Sequence, residues 1–175
     1  LERQIRTLQS SSMRAAAMCC FVNPVQGVQI QDALLQGIPK IRADRDMGPW
    51  MRWTTFANEI STRYVMLLDD DCIFGTTWLH RAIERIMFSD SQGQRIAVVA
   101  GGIVYTEDNW SSVFPIGPES PPPEEQQVDV GRGAWILPTE LLQDFIAYPR
   151  LGSATLTVPL HFAAAMQHAG VPTIA

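Results

Sequence analysis

The chain has 175 residues, 46% hydrophobic and 18% charged, with a net charge of −5. These totals describe one globular domain with enough apolar side chains for a core, and they speak against a general nucleic-acid-binding surface. They leave no bilayer-spanning segment, since no apolar run approaches the roughly 20 residues that a membrane helix needs.

Leu1, Ile5 and Leu8 recur at helical spacing, which predicts a helix over residues 1–10, broken by Ser10-Ser11-Ser12. Residues 15–22 read as a strand ending at Asn23-Pro24. Residues 28–36 read as a short helix stopped by Gly37, with Pro39 barring its continuation. A short strand over 40–43 precedes a charged turn over 44–49, and Pro49 suits the first position of a helix. Trp50, Trp53, Phe56, Ala57 and Ile60 then form an apolar stripe, with Arg52 off it.

Tyr64-Val65-Met66-Leu67-Leu68 is an unbroken apolar run that suits a strand buried on both faces. It ends in Asp69-Asp70-Asp71. In an open α/β sheet the C-terminal strand ends face the ligand crevice. If the backbone stays extended, Asp69 and Asp71 share a side. Two such charges about 5 Å apart repel by roughly 3 kcal/mol at an effective dielectric near 20. A hard cation, Mg²⁺ or Mn²⁺, would remove that repulsion. The plainer alternative is a solvated acidic loop closing a strand.

Thr76 or Thr77 is expected to cap a helix that buries Leu79, Ile83, Ile86 and Met87. Residues 96–100 read as a strand closed by Gly101-Gly102. Alternation of strand and helix up to that point predicts parallel strands with right-handed crossovers. Residues 106–127, rich in proline and glutamate, read as a long mobile loop. An extended segment over 128–137 follows, with Gly131 and Gly133 permitting close backbone approach. Thr139 is expected to cap a short helix bearing Leu141, Leu142 and Phe145. The last helix, over 160–169, ends at Gly170 before a strand-like close. Cys19, Cys20 and Cys72 show no metal-ligand spacing and the adjacent pair is a poor disulfide, so a reducing, cytoplasmic setting is favoured.

In order, these parts resemble a glycosyltransferase of the GT-A fold, similar to the family 2-like nucleotide-sugar transferases. The pieces are the loop with Gly48, the helix carrying Arg52, the apolar strand ending in Asp69-Asp70-Asp71 as a DxD motif, and the strand ending in Gly101-Gly102. Asp129-Val130-Gly131-Arg132-Gly133-Ala134-Trp135 resembles the acceptor-side strand, and His168-Ala169-Gly170-Val171 the closing helix. The resemblance implies an α/β, Rossmann-like domain over residues 1–175, a mostly parallel sheet flanked by helices. Such folds open with a strand that holds the nucleotide base, and here the chain starts at the first helix, so either the sequence is truncated at one or both ends or the base is held differently.

The activity implied is metal-dependent transfer of a sugar from a nucleoside-diphosphate donor to a glycan, protein or lipid acceptor. Asp71 would coordinate Mn²⁺ or Mg²⁺, with Asp69 assisting and Asp70 meeting the ribose or sugar. Arg45 and Arg52 would reach phosphate or sugar hydroxyls; surface charge is their plainer reading. Inverting members carry an acidic pair at the start of the last helix, where this chain has Thr157 to His161 and no acid. His161 and Asp129 are the candidates for the base. Trp135 and Trp110 are candidates for stacking on a sugar, and Trp50 and Trp53 for the core. Two other classes compete. A transferase-like binding module without catalysis fits the missing acid. A phosphatase of the haloacid dehalogenase type also starts from a strand and Asp-x-Asp, but it needs a later lysine, and Lys40 is the chain's one lysine.

Overall fold

The computed structural model describes residues 1–24, 35, 37–46, 48–55, 57, 59–106, 109–114, 125–149 and 158–175. In chain order it contains α1 (Glu2–Ser10), β1 (Cys20–Val22), β2 (Lys40–Arg42), a 3-10 turn (Gly48–Trp50), α2 (Met51–Thr54), β3 (Tyr64–Leu68) and α3 (Trp78–Ser91). There follow β4 (Ala97–Thr106), β5 (Asn109–Phe114), β6 (Gln127–Val128), β7 (Val130–Pro138), α4 (Leu141–Ala147), α5 (Val158–His168) and β8 (Thr173–Ile174).

The α/β class stands, with helices on both faces of a six-stranded sheet in the order β3-β7-β4-β8-β6 and β5 beside β4. β1 and β2 form a separate parallel pair. The expectation of mostly parallel pairing needs correction. β7 lies antiparallel between β3 and β4, and among the described residues only β4 and β8 pair in parallel within this sheet. The reason is geometric. β3 and β4 run the same way, as the crossover through α3 requires, but they do not touch. The gap between them is one strand wide, and β7 fills it from the opposite direction.

β7 is buried on both sides because successive side chains point to opposite faces. Trp135 and Leu137 join a core with Trp50, Trp53, Leu141, Phe145 and Phe162 under α2, α4 and α5. Ala134 and Ile136 join Val98 and Ala100 against Leu79, Ala82 and Ile86 of α3. Trp53 lies edge-on to Trp135 with ring centroids 5.4 Å apart, and 5.0 Å from Phe145.

Several local expectations shift. The strand expected over 15–22 is confined to β1; of the stripe from Trp50 to Ile60, Trp50 ends the 3-10 turn, Trp53 lies on the single turn of α2, Ala57 and Ile60 follow it, and Phe56 lies outside the described residues. Trp50, Trp53 and Ala57 are nonetheless buried. In α3 the buried residues are Leu79, Ala82, Ile86 and Ser89. Met87 is 53% exposed, because it lies about 100° round the helix from Ile86. Thr77 holds the N-cap position without a side-chain cap bond. Glu140, not Thr139, stands at the N-cap of α4. The Thr139 hydroxyl instead donates to the Thr62 carbonyl at 2.6 Å, tying the end of β7 to the start of β3. The stretch expected as one loop over 106–127 contains β5, since the proline run begins only at Pro115. The rest of that stretch at 107–108 and 115–124, and all but Leu35 of the helix expected over 28–36, lie outside the described residues. α5 closes as expected: Val171 N donates to the Met166 carbonyl at 2.8 Å and Gly170 N to the Gln167 carbonyl at 3.1 Å. Gly170 has φ 68°, the left-handed conformation of a Schellman cap.

Gly101-Gly102 does not end its strand; β4 runs on to Thr106. The glycines serve close packing instead. A Cβ on Gly102 would stand 2.6 Å from side-chain carbons of Val128. Gly102→Ala is expected to destabilise the fold by about 1–3 kcal/mol through overpacking. A thermal melt should show a loss of roughly 2–10 °C for a domain of this size.

Candidate functional site

The site is built where β3 stops. Asp69 N donates to the Gly133 carbonyl at 2.8 Å, carrying the ladder one residue past Leu68. The chain then turns: Cys72 N donates to the Asp69 carbonyl at 3.2 Å. The acids therefore do not continue an extended strand, and the simple alternation of sides ends at Asp69. A second clamp comes from α1. The Gln4 amide donates to the carbonyls of Asp69 and Cys72, both at 2.6 Å. Gln4 is only 4% exposed, so these bonds satisfy a buried amide and fix the turn together. Asp70 and Asp71 are left exposed beyond it.

Asp69 is partly buried and is met by the Arg52 guanidinium from α2, whose Nη2 donates to Oδ1. Arg52 lies over the Trp135 ring, 5.8 Å from its centroid. Its Nε is buried without a hydrogen-bond partner, as are the indole nitrogens of Trp53 and Trp135. Burial pushes the Asp69 carboxyl above its ordinary range, and neighbouring Asp71 adds to that. The charge and hydrogen bond of Arg52 and a Gly133 backbone bond oppose the rise without cancelling it. Cys72 beside them is pushed up to about 11, by burial first and then by Asp69 and Asp71. Gly133 makes room for this thiol. Its φ is +83°, and a Cβ there would stand 2.9 Å from Cys72 Sγ.

The structure thus brings Asp69 and Arg52 together and sets Asp70 and Asp71 on the adjoining turn. Other candidates lie elsewhere. Arg45 is exposed in the turn before Gly48, whose amide donates to Asp46 Oδ1 at 2.8 Å. Among the described residues no hydrogen bond or ion pair links Arg45 to the three acids. Asp129 sits between β6 and β7, four residues before Gly133, or roughly 13 Å along an extended strand. Its carboxylate accepts the Tyr105 amide at 2.6 Å, where the pairing of β4 with β5 shifts register. His161 is 1% exposed. It packs among Trp50, Phe145 and Tyr148 with centroids 4.8, 5.0 and 5.4 Å away. Its Nε2 lies 3.2 Å from the Phe145 carbonyl. Trp135 is 1% exposed, so it is a core ring under Arg52 and not a sugar platform. The side chain of Trp110 lies outside the described residues.

Among the described residues no group of three or more His, Cys, Asp or Glu is arranged to hold a metal. The donor set at the turn is smaller and harder: carboxylates only, two of them exposed. That fits a divalent cation held by one or two carboxylates and completed by substrate phosphates, as Mg²⁺ sites are. It does not fit an all-protein cage. Gln4 and Gly133 were not singled out from the sequence as parts of this turn. Gln4 carried one signal, being a polar residue four positions before Leu8 on a face otherwise marked by Leu1, Ile5 and Leu8.

Fold and site together define an α/β domain with a buttressed acidic strand end. No protein-family model matches the chain, and no curated protein does. Among solved structures the chain is similar to CMP:2-keto-3-deoxy-manno-octonic acid synthetase complexed with CTP. The TM-score is 0.47 at 12% identity, covering 98% of this chain and 76% of that one. A likeness of that size bears on neither the site nor the reaction. No helix among the described residues is long and apolar enough to cross a membrane.

The Cys72 environment makes a direct prediction. Moving a thiol from its ordinary value of 9.0 to about 11 cuts the thiolate fraction at pH 8 by roughly a hundredfold. Higher intrinsic nucleophilicity returns part of that, leaving alkylation about tenfold slow. Iodoacetamide labelling followed by mass spectrometry should show Cys72 lagging a free thiol by that factor, and Asp71→Asn should narrow the gap.

Proposed function

We propose that this chain is a glycosyltransferase of the GT-A type that takes its sugar from a nucleoside-diphosphate donor at the end of β3. The observation that carries the reading is the acidic turn itself. Three carboxylates follow β3, the first fixed through its backbone by Gly133 and Gln4 and through its side chain by Arg52, the next two exposed. A strand end so buttressed, beside glycines that hold the backbone close, suits a ligand that is anionic and carries its own oxygen donors.

In this reading Asp71 is the principal ligand of a Mn²⁺ or Mg²⁺ ion, Asp69 assists from its clamped position, and Asp70 meets the ribose or sugar. When bound, such a cation neutralises charge that develops on the diphosphate leaving group. Arg52 and the exposed Arg45 supply N–H donors to phosphate or hydroxyl oxygens. The antiparallel β7 supports the reading by bringing Gly133 to the acidic turn. This reading assigns the base to neither His161 nor Asp129. The first is enclosed by aromatic rings, and the second accepts the Tyr105 amide roughly 13 Å along the strand from Gly133.

Those two placements favour one further reading, a module that binds the donor without transferring from it. The described residues then bind and orient, and the catalytic base belongs to another part of the assembly or is lacking.

Thermal melts test the donor site. Uridine or guanosine diphosphate with Mn²⁺ at about 100 times the dissociation constant should add roughly 2.7 kcal/mol, or a shift of roughly 5–10 °C. The nucleotide alone should give none, since it and the acids repel. Asp71→Asn should abolish the shift and keep the fold. A phosphatase would answer to metal with beryllofluoride and show no nucleotide preference. A flat response to every diphosphate tried with Mn²⁺ removes the donor-site assignment. Release of free sugar or its transfer separates the enzyme from the binding module.

A further inference from the structure

We infer that Arg52 is a resident placeholder for the divalent cation: its guanidinium holds Asp69 while the site is empty and moves onto the diphosphate when metal and nucleotide arrive. The inference rests on the reading of the β3 end as the donor site, and it adds an exchange step that the reading does not contain.

Two observations lead to it. Arg52 Nη2 occupies Oδ1 of Asp69, one of the few carboxylate oxygens at this strand end that a cation could use. A guanidinium and a hard cation compete for that lone-pair direction, and each weakens the other's hold on the same carboxylate. The guanidinium is also under-used where it stands. It has five N–H groups, yet among the described residues the Asp69 contact is its one hydrogen bond, and its Nε is buried without a partner there. Stacking over Trp135 at 5.8 Å supports the plane of the group from behind but supplies no acceptor, because the indole nitrogen is itself a donor. An acceptor-rich anion arriving at the turn gives the unused N–H groups the oxygens they lack.

The exchange also explains why Arg52 leaves the site receptive. In the empty state one positive charge balances one of three carboxylates, so the turn remains anionic and attracts a cation. A divalent ion then displaces Arg52 most readily when a diphosphate comes with it, because the diphosphate rewards the guanidinium for leaving. Metal and nucleotide therefore bind cooperatively, and the bare metal binds weakly.

The test compares the parent chain with Arg52→Gln, which can still donate to Asp69 but carries no charge, and Arg52→Lys, which keeps the charge. Bare Mn²⁺ is titrated and followed by electron paramagnetic resonance; the titration is then repeated with uridine diphosphate present. Folding of each variant is checked by circular dichroism. Removing the competing charge should tighten bare Mn²⁺ binding about tenfold in Arg52→Gln. Binding of uridine diphosphate in saturating Mn²⁺ should weaken by about tenfold or more. Arg52→Lys should leave bare Mn²⁺ near the parent value. If Arg52→Gln leaves bare Mn²⁺ unchanged or weakens it, or if no chain binds Mn²⁺, the placeholder role is overturned. If bare Mn²⁺ tightens but the parent binds no nucleoside diphosphate, the competition stands while the hand-over to phosphate and the donor site both fall.

Discussion

The structure depends on keeping a carboxylate half-buried at the end of β3, a strand paired on one side by β7. Burial alone drives Asp69 towards its neutral form. What holds it is its own turn to Cys72 and contacts drawn from three distant pieces of chain: Gln4 on α1, Arg52 on α2 and Gly133 on β7. Each of those pieces is itself held by the core. Arg52 is backed by Trp135, and Trp135 by Trp53, which packs on Phe145 and Phe162. The acidic turn is therefore the outer end of an aromatic column that begins deep between the sheet and α5.

β7 is the element through which this column reaches the site. It pairs with both β3 and β4, so it joins β3 to the rest of the sheet. Its Trp135 faces the aromatic core and its Ala134 the core under α3. Between them and the turn comes Gly133, whose left-handed backbone bends the strand where the register with β4 shifts. A side chain there would collide with Cys72 and disturb the same turn that Gln4 clamps.

The parts legible in the sequence are those decided by local pattern. The apolar run of β3 and its acids, the helix α3, the stop of α5 at Gly170 and the tight approach at Gly131 and Gly133 are all read from neighbours in the chain. The parts not legible are decided by pairing across distance. Nothing in residues 130–138 says whether β7 runs with or against β3, because a strand buried on both faces is apolar in either direction. Gly101-Gly102 reads equally as a strand end or as a place where Val128 comes close. The partnership of Arg52 with Asp69 spans 17 residues and arises only once α2 is packed on β7. His161 looks like a candidate base in sequence because imidazole suits that role. Its burial among three aromatic rings follows from the facing surfaces of α4 and α5, which no single segment encodes.

Among the described residues, the buried side-chain nitrogens that lack partners all belong to one region. Arg52 Nε, Trp53 Nε1 and Trp135 Nε1 lie along the aromatic column, and His161 Nδ1 at its inner end. Each lost hydrogen bond in such a place costs about 1–3 kcal/mol. A core selected for stability alone would fill these positions with purely apolar side chains, which bury area without that cost. Unsatisfied donors cluster where a fold keeps polar groups for a purpose other than its own stability. Along this column the outermost of them belongs to the side chain that grips Asp69. The polar cost in the core and the charge at the surface are thus one arrangement, with Trp135 holding the guanidinium that reaches Asp69.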